Sequence, residues 1–477
     1  MTGLAAAEYG PLLYGMTGVT EPDRLWSLAN FGELITAPVT PLCWSVWHQG
    51  LETGSRAAYA DFGVLSARRV PAPSDPNGLL GACFAGRIAL NIDFTRTLMA
   101  AIPGASGDGF ERDIVGKVRP NRPPDRLDPR RLPALTVKAP VLLARAAGNT
   151  RAGQVEMAQW WRHEVLAAPP AEDLGAATRR FREALGRVRR AARAQAGSRF
   201  VVMAVQTQLV ALCERVGRPE LANQVLAGVG GTPEARLADE MWLAGRGERT
   251  CADLLRSHGY YGVHIGNMTG RSWRQEPGLL RARINAAAAR DDARRPADRE
   301  AEAHTERQAA IRRLRSAQPA LVRPLAGRLA ASAATQFRAL EYGKAAVMMA
   351  VDGCRAAAHE VGTQLRKAGP WTPLPTWCSC GTTSSVGSTP TCATGSRSAA
   401  ECGKASPTSR WTRTLSASPR SGAARPADPV SASGASPGPP GPTVWPRDRF
   451  GWWPTRPATS NPARSWSARS PTRAGPR

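Results

Sequence analysis

The chain has 477 residues, 42% of them hydrophobic, and its 63 Lys+Arg against 38 Asp+Glu give a formal charge of +25. That length holds two or three domains, and the apolar fraction can supply a core over most of it. Only five of the basic residues are Lys (Lys117, Lys138, Lys344, Lys367 and Lys404). With abundant Ala, Gly and Pro this Arg excess is the codon imprint of a GC-rich gene, so the charge alone does not mark a nucleic-acid binder.

The opening "MTGLAAAEYG" has neither a basic segment nor an apolar run, so no export signal is read there. Residues 1–19 are read as an extension, and residues 20–118, mixing Gly, Pro and short apolar runs, as the first part of a central domain. Within it "WSLANFGELITAPVTPLCWSVW", residues 26–47, reads as a loop fixed by Pro38 and Pro41 and packed by Trp26, Trp44 and Trp47. Residues 119–140 are rich in Pro and Arg and read as a surface connector.

From there to residue 368 the pattern is helical. In "EDLGAATRRFREALGRVRRAARA" the apolar residues Leu174, Phe181, Leu185, Val188 and Ala192 recur every three or four positions and predict one buried stripe. Arg179, Arg180, Arg182, Arg187, Arg189 and Arg190 fall mostly off it, as a solvated face or a ligand-binding one. "RFVVMAVQTQLVALCERVG" reads as a following, more buried helix. Thr232 and Pro233 predict an N-cap and a first helical residue, and Thr250 with Asp253 a second helix start. A last helical stretch is predicted from about Thr305 to Arg366, broken near Pro319 and Pro324.

Beyond residue 368 the periodicity stops. The tail from Pro370 has 13 basic and 3 acidic residues and no Ile, Met, Tyr, His or Gln. Such a segment cannot bury enough apolar surface to offset its conformational entropy and is expected to be disordered. Cys378, Cys380, Cys392 and Cys402 lack paired C-x-x-C spacing and no His follows His359, which argues against a zinc site. No apolar run reaches 18 residues. The expectation is a mainly α protein of the cytoplasm: a multi-helix central domain, an irregular N-terminal segment and a disordered tail over 369–477. Neither a membrane nor a nucleic acid is expected as partner.

Four segments, in order, resemble the central domain of phosphoenolpyruvate-utilising enzymes, above all phosphoenolpyruvate synthase-like and rifampicin phosphotransferase-like proteins. The first carries Trp26, Asn30, Gly32, Glu33, Val39, Thr40, Pro41, Leu42, Trp44 and Ser45. The second, "GRIALNIDFTRTLMAAIPG", carries Asn91, Pro103 and Gly104. The third, "SHGYYGVHIGNMTGRSWRQEP", carries His258, Gly259, Gly262, Trp273, Arg274 and Pro277. The fourth, "ALEYGKAAVMMAVDGCRAAAHEVGTQL", carries Glu341, Lys344, Arg355 and Gly362.

The resemblance implies phosphoryl transfer by a swinging carrier. An ATP-grasp domain, using ATP and Mg²⁺, charges a His on a mobile domain, which delivers the group to an acceptor site. That site must neutralise the phosphoryl group in flight with Arg, Lys or metal. Relatives carry Arg-Glu-x-x-Lys in the late helix; here Leu340 stands where the Arg would be, which removes a bidentate phosphate donor. Glu341 and Lys344 are either a phosphate-facing pair or a plain helical ion pair. Asn267 lies close to where relatives carry an acidic residue, and His258 is either functional or a packed His beside a turn. The candidates for binding substrate or phosphate are Glu33, Thr40, Trp44, His258, Glu341, Lys344 and Arg355. No catalytic residue and no metal ligand is assigned, because neither an ATP-grasp domain nor the Gly-Gly-x-x-Ser-His-x-Ala segment is legible.

Reading the tail one base back tests its origin. Trp has a single codon, so Trp371-Thr372 must become Asp and Trp377-Cys378 must become Val. Trp452-Trp453-Pro454 must become Val-Ala. With permitted choices elsewhere the shifted text resembles the family's linker and then its mobile domain upstream of the phosphorylated His. The tail is therefore expected to be a frameshifted remnant. The function expected is the acceptor-substrate-binding portion of such a phosphotransferase, truncated and inactive alone. It would depend on separate ATP-grasp and phosphohistidine proteins and a small-molecule acceptor. The alternative is a non-catalytic small-molecule-binding protein.

Overall fold

A computed structural model describes residues 20–369, apart from 22, 29–30, 32–34, 36, 85, 103–104, 123–131 and 290–293. The extension, the Asn-x-Gly-Glu segment with Glu33, the Pro103-Gly104 pair and the tail from Pro370 lie outside the described residues. What is described is mainly helical, as the periodicity requires.

Three long helices form the frame: α5 (Leu132–Trp160), α6 (Leu174–Glu214) and α12 (Arg323–Lys367). Their pairings fix the directions. Arg180 pairs with Glu360, Gly343 abuts Gln195 and Gln318 reaches Leu212 O, so α12 runs antiparallel to α6. Thr150 bonds Ser198 and Arg187 bonds Glu156, so α5 is antiparallel to α6 as well. Close approach needs small side chains. A Cβ on Gly343 would sit 2.1 Å from Gln195 Oε1, and one on Gly353 would sit 2.3 Å from Trp160 Cη2.

The α6 stripe is buried, with a slightly different membership from the predicted one. Ala177, Phe181, Ala184, Val188 and Ala191 face the core, Leu185 and Ala192 are half-buried, and Leu174, next to the Asp173 N-cap, is exposed. Arg179, Arg182, Arg189 and Arg190 are solvated; Arg180 pairs with Glu360 and Arg187 stacks on Trp160. The sequence predicted two helices here, but α6 runs unbroken through Gln195–Phe200, because one glycine, Gly197, with no Pro beside it is too weak a breaker to end a packed helix. One window of α6 is apolar and long enough to cross a membrane, and half of that window is buried inside the bundle.

The N-terminal part packs on α6. β1 (Trp26–Ser27), β2 (Gly81–Phe84) and β3 (Arg87–Asn91) form an antiparallel sheet in the order β1-β3-β2, with Trp26 opposite Asn91. The loop predicted over residues 26–47 ends at Thr40. Thr40 Oγ1 accepts from Cys43 N (3.2 Å), Pro41 takes the first helical position, and α1 spans Pro41–His48. The apparent turn residues are a helix start, Thr cap plus Pro at N1. A π-helical segment, Gln49–Gly54, leads into α2 (Ser55–Asp61). α3 (Ile92–Ala100) is capped by Asn91, and α4 (Gly107–Val115) by Ser106. Buried Glu111, held by Arg96 and Arg119, ties α3 to α4.

The connector is shorter than its Pro and Arg content suggested, since α5 starts at Leu132. Thr232 caps α8 (Pro233–Gly245), and Thr250 with Asp253 forms the capping box of α9 (Cys251–His258), both as predicted. Between α6 and α8 lies α7 (Glu220–Leu226); after α9 come the ribbon β4 (Gly262–Val263) and β5 (Arg271–Ser272), α10 (Pro277–Ala288) and α11 (Pro296–Ala317). The helical break falls at 318–322, beside Pro319, whereas Pro324 sits inside the first turn of α12, where its missing N–H costs nothing.

Candidate functional site

Three of the four resembling segments meet at one buried knot. The turn after β4, in which His264 takes a left-handed φ of 53°, is gripped from two sides. From α1, Trp47 Nε1 donates to Gly266 O (2.6 Å) and Cys43 Sγ reaches the same oxygen (3.6 Å). From α12, Arg355 Nη2 donates to Ile265 O (2.7 Å) and Asn267 O (3.1 Å). Asn267 Nδ2 donates to Pro38 O (3.0 Å). Asp352, fully buried, accepts from Arg355 Nη1 (2.9 Å), Arg274 Nε (3.1 Å) and Trp161 Nε1 (2.9 Å). The donors of Trp47, Trp161, Asn267 and Arg355 here are spent on the protein itself, while Arg274 Nη2 is buried without a partner.

This geometry places the predicted residues individually. Thr40 is a helix cap, and Trp44 is wholly buried against His48. Arg355 is a buried brace whose contacts are to Asp352 and backbone carbonyls. Lys344 Nζ donates to Glu341 Oε1 (2.9 Å) on a partly open face of α12, and Leu340, in the Arg position, is buried. Beside that pair stand Glu234 and Tyr261. Desolvation first, then the Glu341 charge, raise the Glu234 carboxyl to about 7, with Lys344 opposing, although the residue keeps solvent contact. His258, itself buried, is the candidate that lies in the wall of a cleft.

His258 lines a cleft of about 640 Å³ walled by α5, α8, α9, α12 and the start of α11. That size suits a small molecule. Arg151, Arg162, Arg236, Arg249 and Arg256 line it, against the acidic Asp239, Asp253 and Glu300. Asp239 is taken by Arg295, and Asp253 by Arg256 and Thr250. Arg151 contacts Gln154 and stacks 3.9 Å over the Tyr342 ring, and Arg162 donates to Ala158 O; neither has a carboxylate partner among the described residues. Trp161 and Tyr260, packed edge to face, give the cleft an aromatic wall.

At one end His258 Nε2 meets Glu240 Oε2 (3.1 Å), and Arg236 Nε donates to Glu240 Oε1 (2.7 Å). His258 Nδ1 is buried without a partner. The His258 bond, supported by Arg236 and opposed by desolvation, lowers the Glu240 carboxyl from 4.5 to about 2. The stabilisation this provides is complete above about pH 4.5 and is lost as pH falls toward 2. Glu240→Gln is therefore expected to flatten the stability-versus-pH curve over that interval, measured by urea unfolding; a curve of unchanged steepness contradicts the pairing.

Sequence reasoning found His258 but missed Arg151, Glu240, Glu300 and Tyr342. The run "GVGGTP" just before the Thr232 cap was the one local signal available, since glycines leading into a helix start mark an anion-compatible turn. No family model matches the chain, and no curated protein matches it either.

Proposed function

We propose that the chain is the acceptor-substrate portion of a phosphotransferase resembling phosphoenolpyruvate synthase and rifampicin phosphotransferase, with the Arg-rich cleft as the place where the acceptor sits. The observation that carries the reading is the cleft itself: a small-molecule volume with surplus guanidinium charge and an aromatic wall. Arginines there would neutralise a phosphorylated product, and the aromatic wall would hold the acceptor's apolar body. Among the described residues no three His, Cys, Asp or Glu side chains gather to hold a metal. On this reading ATP, Mg²⁺ and the phosphohistidine carrier are supplied by domains other than this helical one.

The test is reconstitution. The full chain is mixed with separately produced ATP-grasp and phosphohistidine domains, labelled ATP, and pyruvate or a drug-like alcohol. Label should enter the small molecule only in the complete mixture, and Arg151→Met should slow it at least about tenfold. Transfer by the chain alone, or no transfer from the complete mixture, defeats the proposal.

The Glu341–Lys344 ion pair and buried Leu340 favour a second reading, a binding protein without chemistry. It predicts ligand-dependent thermal stabilisation with no consumption of ATP.

A further inference from the structure

One face of α5 lines the cleft along its length, and its residue pattern is specific. Arg151, Val155, Ala158 and Arg162 follow one another at intervals of four, three and four residues, so they fall on one stripe of the helix. α5 is regular α-helix to Trp160, and the π-helical turn Trp161–Leu166 continues it directly, so the stripe holds as far as Arg162. At 1.5 Å of rise per residue the two arginines start about 16 Å apart along the axis. Arg162 Nε donates back to Ala158 O (3.1 Å), which brings the two guanidinium groups closer than their Cα positions. Between them the stripe is apolar. Val155 is 42% exposed there, and Met349 of α12 adds to the same lining.

The two arginines belong to opposite ends of the cleft. Arg151 stacks over the Tyr342 ring, and Tyr342 Oη donates to Gly231 O (2.8 Å) just before α8. Trp161, next to Arg162, abuts the far end of α9: a Cβ on Gly259 would lie 3.1 Å from its Cη2. The carboxylates of the cleft are engaged elsewhere. Asp239 holds Arg295, Asp253 holds Arg256 and also lies in the field of Arg249, and Glu300 accepts from Gly231 N. Arg236 is paired with Glu240. Arg151 and Arg162 are thus two cations without a carboxylate partner among the described residues, one at each end of an exposed apolar stripe.

We propose that the cleft takes an elongated small molecule with an anionic group at each end and an apolar body between, a straight-chain dicarboxylate being the simplest form. Each guanidinium takes one carboxylate through charge-assisted hydrogen bonds, and the methylene chain covers Val155 and Met349. The inference rests on the reading that the acceptor sits in this cleft, and it names that acceptor's class.

The test is calorimetric titration of the full chain, at fixed ionic strength, with succinate, adipate, suberate and octanoate. Octanoate matches suberate in length but has one carboxylate. Suberate should bind at least about tenfold more tightly than octanoate, because its second carboxylate gains a charge-assisted pair. It should exceed succinate by a similar factor, with adipate between, because the shorter chains do not reach both arginines. Arg151→Met and Arg162→Met should each bring suberate to within about twofold of octanoate, while octanoate itself stays within about threefold, since one arginine remains to hold it. Both side chains are exposed, and far-UV circular dichroism should show an unchanged fold. Equal affinities for suberate and octanoate overturn the two-ended site, and succinate binding as tightly as suberate overturns the spacing. Suberate binding that is absent, or unchanged in either variant, overturns the proposal. Suberate binding of the expected kind without transfer in the reconstituted mixture sinks the phosphotransferase reading alone. Transfer that suberate does not inhibit and Arg162→Met does not slow sinks the two-ended site alone.

Discussion

Asp352→Ala is expected to destabilise the folded domain by about 3–5 kcal/mol, measured by urea unfolding. The carboxylate is fully buried and takes three donors from three elements: Trp161 after α5, Arg274 after β5 and Arg355 within α12. Its loss strands the Arg355 guanidinium, whose side chain is 3% exposed, without a counter-charge. Burial already lowers the Arg355 pKa, with Asp352 opposing, so the charge is held in place against a desolvation penalty. Removing both partners leaves less uncompensated charge than removing one. The double variant Asp352→Ala/Arg355→Met should therefore cost clearly less than the sum of the single variants. A single-variant loss below about 1 kcal/mol would mean that the knot does not join these segments energetically.

Trp44→Ala is expected to cost a further class of about 3–5 kcal/mol, by a different route. Trp44 is 0% exposed in the cluster that also holds Trp47, Trp160 and Val188, so truncation leaves a cavity between α1 and the long helices. The same variant separates core from site. Label transfer in the reconstituted mixture should stay within about twofold of the parent, because Trp44 does not line the cleft. Loss of transfer with stability intact would make Trp44 a ligand contact.

What was legible in the sequence was local. Thr232-Pro233 and Thr250…Asp253 announce helix starts because a cap depends on residues three apart. The α6 stripe follows from its 3.6 period. Pro41 misled because Thr-Pro reads equally as a turn or as a cap followed by N1; only packing of Trp44 and Trp47 against the rest of the chain decides. The cleft was illegible for a stronger reason. Arg151, Gly231, His258, Glu300 and Tyr342 lie on five different elements or turns, and their meeting depends on how α5, α8, α9, α11 and α12 pack. Arg355 and Thr40, singled out by motif, are consumed by that packing. Arg151 and Glu300, in no motif, are left facing the space it encloses.

If a helical acceptor module holds an anionic small molecule in the cleft beside α8, that molecule should slow backbone exchange around the cleft. Hydrogen–deuterium exchange of the full chain, with and without saturating glycerol 3-phosphate, tests this most directly. Slower exchange is predicted across residues 228–236 and 254–262, where the Gly231 turn and the His258 end line the cleft. Protection confined to segments that do not line the cleft, or no protection at all, would contradict it.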